Sequence, residues 1–122
     1  MAEVHTYTYL GRTSEGYDRW VCKVTANADD GYVQGTGIVL TFSGMANVQG
    51  IEGLINYGSI WNHVGNVIAT AHTEGGDPTS CIDGNVVTLM VLQSAGAAAE
   101  LAEKITENFG YVVEFYITVY GV

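Results

Sequence analysis

Three histidines, two cysteines and thirteen carboxylates are the groups in this sequence most able to do chemistry, and their spacing argues against most of it. His5, His63 and His72 each stand without a second ligand at metal-binding spacing, which argues against a zinc or iron centre. Asp29, Asp30, Asp77 and Asp83 lie in glycine-rich segments where oxygen ligands could surround calcium. The EF-hand spacing is absent, however, and Asp-Gly steps are first of all turn formers. Cys81, in "PTSCIDG", has no local nucleophile signature around it, and Ser43, in "TFSGM", lacks the glycine frame of a nucleophile elbow. "GYVQGTG" opens a strand pattern rather than a helix, so it offers no ring of helix N-terminal amides to a phosphate. No catalytic residue, cofactor or metal site is expected. The groups left over are aromatic: Tyr116 and Tyr120 share one face of a strand pattern and could stack on sugars or on another protein surface.

Period-two alternation must position these residues. "RWVCKVTA" puts Trp20, Cys22, Val24 and Ala26 on one face, and "GIVLTF" does the same with Ile38, Leu40 and Phe42. "GNVIATAH" sets Val67, Ala69 and Ala71 against Ile68, Thr70 and His72, and "NVVTLMVL" is apolar on both faces, as a central strand would be. In "YVVEFYITVYGV", Val113, Phe115, Ile117 and Val119 oppose Glu114, Tyr116, Thr118 and Tyr120. "GLINYGSIW" alternates imperfectly around Gly58. "VHTYTYL" opposes His5, Tyr7 and Tyr9 to Val4, Thr6, Thr8 and Leu10, so residues 1–18 read either as an arm reaching another subunit or as an edge strand.

These segments, joined by Gly- and Asp-rich turns, predict an all-β or β-rich α+β domain spanning 1–122. Its expected form is an antiparallel sandwich or small barrel of about seven strands. The expected core is Trp20, Val24, Leu40, Phe42, Leu89, Val91, Phe115 and Ile117. One helix is expected over residues 95–109, before the last strand, with an ordered irregular loop, favoured by Gly96 and Thr106, as the competing reading. Ala97, Leu101, Ile105 and Phe109 form its apolar stripe, Glu100 and Lys104 an i, i+4 pair, Ser94 the cap and Gly110 the terminator.

Four basic residues against thirteen acidic ones give a net charge of −9, which repels phosphate backbones and anionic bilayers; neither nucleic acid nor a membrane is an expected partner. "MAEVHTYTYL" has no basic region followed by an apolar one, which predicts a chain kept or assembled in the cytoplasm. A reducing compartment argues against a Cys22–Cys81 bridge.

The order of "GYVQGTGIVLTFSGM", "GNVVTLMVLQSAGAAAELAE" and "GYVVEFYITVYGV" covers residues 31–121, roughly three quarters of the chain. It resembles small β-rich virion proteins of tailed bacteriophages, particularly capsid decoration (cement) proteins. The chain departs from that pattern between residues 100 and 110, where it looks more helical than the usual short loop. The resemblance implies a non-enzymatic structural protein on the outer face of a phage capsid, binding the major capsid protein, commonly as a homotrimer, and stabilising the shell. Candidate interface residues are His5, Tyr7, Tyr9, Tyr116 and Tyr120. A carbohydrate-binding tail or fibre module is the alternative reading, and a small cytoplasmic enzyme the weaker third.

Overall fold

The computed structural model describes residues 3–58, 63–66, 81–94 and 101–122. The described residues form eleven strands and no helix: β1 (Val4–Arg12), β2 (Asp18–Ala26), β3 (Gly31–Tyr32), β4 (Ile38–Thr41), β5 (Val48–Gly58), β6 (His63–Asn66), β7 (Ile82–Asp83), β8 (Val86–Ser94), β9 (Leu101–Glu103), β10 (Glu107–Asn108) and β11 (Val113–Gly121). Every pairing is antiparallel. One sheet has the order β1-β2-β11-β5, a second is the short β10-β3 ribbon, and a third is built on β8, flanked by β4, β6, β7 and β9.

The alternating segments fall where the pattern put them. Cys22, Val24 and Ala26 of β2 and Val113, Phe115, Ile117 and Val119 of β11 are buried, as are Ile38 and Leu40 of β4, Phe42 beside it, and Val87, Leu89 and Val91 of β8. These side chains form one hydrophobic cluster shared by the two larger sheets. Trp20, expected in the core, is only half-buried and packs against the cluster's rim. β1 stands at one end of its sheet's strand order. "GNVIATAH" meets β6 only at Gly65 and Asn66, since residues 67–72 lie outside the described residues.

The expected helix is corrected over its second half; its first half, 95–100, lies outside the described residues. Leu101–Glu103 is a strand, with Leu92 opposite Glu103 and Ser94 opposite Leu101, and the Lys104 amide extends the ladder by donating to the Val91 carbonyl. A helix would have placed Ile105 and Phe109 on one face. Instead Ile105 is 57% exposed while Phe109 is buried, its amide donating to the Asp30 carbonyl. Lys104, expected to pair with Glu100, is buried; its ammonium bonds Glu107 Oε1 at 2.9 Å and lies 5.5 Å from the Phe109 ring centroid. Gly110 does adopt positive φ (77°), but it closes the β10 segment, with its amide on the Ala28 carbonyl.

Two substitutions separate these registers. Phe115→Ala, in the shared core, is expected to cost about 3–5 kcal/mol in denaturant melts, from lost transfer energy plus a cavity. Ile105→Ala, which would empty a helix stripe, is expected to change stability by less than about 0.5 kcal/mol because the side chain faces solvent.

Candidate functional site

The hairpin joining β1 to β2 fixes what β1 presents. The Thr13 amide donates to the Tyr17 carbonyl (2.7 Å), the Gly16 amide to the Thr13 carbonyl (3.0 Å), and Gly16 takes φ 92° as this reversal requires. The resulting register sets His5 opposite Val24, Tyr7 opposite Cys22 and Tyr9 opposite Trp20, so these three lie on the core side of the sheet. Tyr7 is thereby drawn inward. Its ring meets Phe42 edge-on at 5.1 Å, and its hydroxyl accepts the Thr41 backbone N–H at 3.0 Å. One side chain of the edge strand thus reaches the other large sheet. Burial, reinforced by the adjacent Cys22, pushes the Tyr7 hydroxyl up to about 12, and burial pushes the Cys22 thiol up to about 11. His5 pairs with Glu3 at 3.0 Å, while Tyr9 tilts against Trp20 at 5.1 Å and donates to Asp18 Oδ1 at 2.9 Å, its ring remaining 48% exposed.

The opposite face of the same sheet is ordered in rows across the strands. Tyr116 stands beside Lys23 and Ile55, Thr118 beside Val21 and Gly53, and Tyr120 beside Arg19 and Gly50. Small groups therefore separate the two tyrosines, and a side chain added at Gly53 would meet open space. At Gly50 a Cβ would collide with Tyr120 Oη, so the tyrosine ring occupies the space over that glycine. Tyr17 meets the Tyr120 ring edge-on at 5.6 Å. A bulge leaves Glu52 without a partner on β11, and it receives the Arg19 guanidinium in a two-pronged pair at 2.7 and 2.9 Å. That pair holds the Glu52 carboxyl below its ordinary range. Lys23 lies 3.8 Å from Glu114 and 5.7 Å from the Tyr116 centroid.

Charge is distributed unevenly. The four strands of this sheet carry three bases, Arg12, Arg19 and Lys23, and three acids, Asp18, Glu52 and Glu114, for a net charge of zero against −9 for the whole chain. Each base has its acid within 4 Å.

The structure thus gathers Tyr116 and Tyr120 on one face and turns His5, Tyr7 and Tyr9 to the other. The Arg19–Glu52 pair and the Tyr7 bridge were invisible to sequence reasoning. Only the β1–β2 register, which the Thr13–Tyr17 turn sets, could have signalled the bridge. Among the aspartates, Asp29 and Asp83 are exposed and Asp77 lies outside the described residues. Asp30 is buried, accepting the Asn27 amide at 2.8 Å through Oδ2 as a turn-former does. Among the described residues no three His, Cys, Asp or Glu side chains gather as a metal site. Cys22 and Cys81 are both buried and not joined in a disulfide, and burial raises the Cys81 thiol also, which disfavours the nucleophilic thiolate.

The two raised groups on the Tyr7–Cys22 pair make an alkaline prediction. The fold keeps these protons up to about 12 and about 11, where the ordinary values are 10.0 and 9.0. Stability is therefore fully present below about pH 9 and is lost as pH rises from about 9 to about 12. Tyr7→Phe is expected to cost about 0.5–1.5 kcal/mol at neutral pH, by loss of the Thr41 hydrogen bond. In denaturant melts it should also show a shallower decline between about pH 10 and 12, because one linked proton is gone. An unchanged alkaline profile in the variant would remove Tyr7 from the linkage.

No family model, no curated protein and no solved structure matches this chain.

Proposed function

We propose that this chain is a non-enzymatic structural virion protein that attaches, as a homo-oligomer, to the outer surface of an assembled phage capsid and stabilises it. The capsid as partner follows from the sequence resemblance. The observation that carries the reading is the neutral, aromatic face of the four-stranded sheet on an otherwise strongly acidic chain. A surface that must be covered by protein works best where like charges do not oppose its approach. Tyr116, Tyr120 and the 56% exposed Ile55 supply apolar and amphipathic area there. We infer that the two larger sheets stack as a β-sandwich around their common cluster, which keeps that face rigid. Stabilisation then follows by mass action, because the protein binds the closed shell and not its dissociated subunits.

A carbohydrate-binding module is the second reading, favoured by one specific arrangement. Tyr120 lies over Gly50, Tyr17 stands edge-on to it, and Arg19, held in its two-pronged pair with Glu52, stands opposite Tyr120, a combination of stacking surface and fixed polar groups.

Heat-release measurements on capsids with and without the protein, combined with cosedimentation, test the first reading. Binding and a raised rupture temperature are expected, with binding weakened by Tyr116→Ala together with Tyr120→Ala. A protein that neither cosediments with capsids nor protects them, but whose tyrosine fluorescence responds to saccharides in a way that Tyr120→Ala abolishes, is a sugar binder instead.

A further inference from the structure

We propose that β1 is a self-association edge: β1 of one copy pairs antiparallel with β1 of a second copy, about a two-fold axis at Tyr7, joining two four-stranded sheets into one of eight. This specifies a contact for the homo-oligomer, and it rests on the reading above only for the expectation that copies associate.

The two edges of the sheet are built differently. Exposed sheet edges are normally blunted by charge, proline or bulges, since unpaired N–H and C=O groups template further strands. β5 is blunted: it carries Glu52, two irregularities in its pairing with β11, and glycines at 50, 53 and 58. It also lies against β6 and β7. β1 has none of this between Val4 and Tyr9, and Val4–Leu10 contains no carboxylate, lysine, arginine, proline or glycine. Its bulge, between Tyr9 and Gly11, falls at Leu10, the end of that stretch. Three large hydrophobic residues are nevertheless exposed on it, Val4 at 58%, Tyr9 at 48% and Leu10 at 43%. The Tyr7 anchorage to Thr41 and Phe42 holds the edge in place before any partner arrives.

The occupant is a second copy because β1 is complementary to itself. Opposed residues in an antiparallel pair share a face, so a two-fold axis at Tyr7 sets Thr6 against Thr8, His5 against Tyr9 and Val4 against Leu10, each twice. Exposed apolar residues thereby meet each other, as do exposed threonines. Beyond the bulge the chain has used one extra residue, which brings Arg12 of one copy opposite Glu3 of the other. The sheet as a whole is neutral, so two copies of a −9 chain approach here with the least repulsion.

Sedimentation velocity over a range of concentrations, with two exposed positions changed, tests the contact. The wild type is expected to show a monomer–dimer equilibrium. Thr6→Glu with Thr8→Glu sets like charges across the axis twice and is expected to raise the dimer dissociation constant at least about tenfold. Thr6→Glu with Thr8→Lys sets opposite charges there and should restore the dimer. Thermal melts should show both variants folded, because both threonines face solvent. A wild type that stays monomeric at its highest soluble concentration overturns the contact. So does a dimer or trimer that the double-Glu variant leaves intact, or a double-Glu loss that the Glu/Lys variant fails to restore. Cosedimentation of wild-type and double-Glu protein with capsids is read separately: capsid binding by a wild type that stays monomeric overturns this contact and leaves the capsid reading standing.

Discussion

The register of β11 is the constraint on which the rest of this structure depends. The strand is paired along its whole length on both sides, with β2 and with β5, so neither neighbour can slip alone. Its odd-numbered residues from Val113 to Val119 supply four buried side chains to the shared core, and the even-numbered ones place Tyr116 and Tyr120 on the outer face. A shift of one residue would exchange these sets, burying Glu114 and two tyrosines. The mismatch between a regular β11 and the strand beside it is absorbed entirely by β5, where irregularities release Glu52 toward Arg19. Gly50 is needed there for the same reason: the Tyr120 ring fills the place a side chain would take. The outer face is therefore a consequence of core packing, transmitted through a single strand.

Tyr7 plays the corresponding part at the edge. Edge strands with one hydrogen-bonded neighbour are the first to fray, and among the described residues β1 pairs with β2 alone. The Tyr7 ring and hydroxyl add a second attachment, to Phe42 and Thr41 on the opposite side of the core. That attachment buries the phenol beside the Cys22 thiol, and burial is what raises the pKa values of both groups. Edge rigidity and alkaline sensitivity thus have one origin.

Period-two patterning made most of the β-structure legible, because burying one face of a strand leaves its trace in the composition of that face. It read the buried faces of β2, β4, β8 and β11 correctly, Trp20 apart. What it misread had locally ambiguous chemistry. Along "AGAAAELAEKITENFG" the helix-forming residues and the i, i+4 spacing are genuine local signals. They lose over 101–109 to pairing with β8 and with the Asp30 and Ala28 carbonyls, partners that no local window contains. In β1, hydroxyl-bearing aromatics made the inward face look as polar as the outward one, so the sequence left open which side Tyr7 would take. The outer-face site was less legible still. Its members come from β2, β5 and β11, and their adjacency is a property of cross-strand register and of a bulge, neither of which a linear pattern encodes.

The distribution of charge connects these observations to how such a protein would meet other molecules. At −9 over 122 residues, copies repel one another and any acidic surface at long range. The repulsion is not uniform, because three of the four bases lie on the four-stranded sheet, each neutralised by an adjacent acid, while the fourth, Lys104, is buried against Glu107. The acids left unbalanced all lie outside those four strands. The four strands themselves therefore add no net charge against a partner that covers them. Screening at physiological salt limits the effect to separations of about 8 Å, the range in which final orientation is chosen. Pairing the bases internally has a second effect: a partner that covers the sheet meets dipoles and aromatic rings, not bare charges, and avoids the desolvation cost of burying an unpaired ion. An association of the kind proposed would thereby use the face and edge that the register of β11 and the anchorage of Tyr7 have already made rigid.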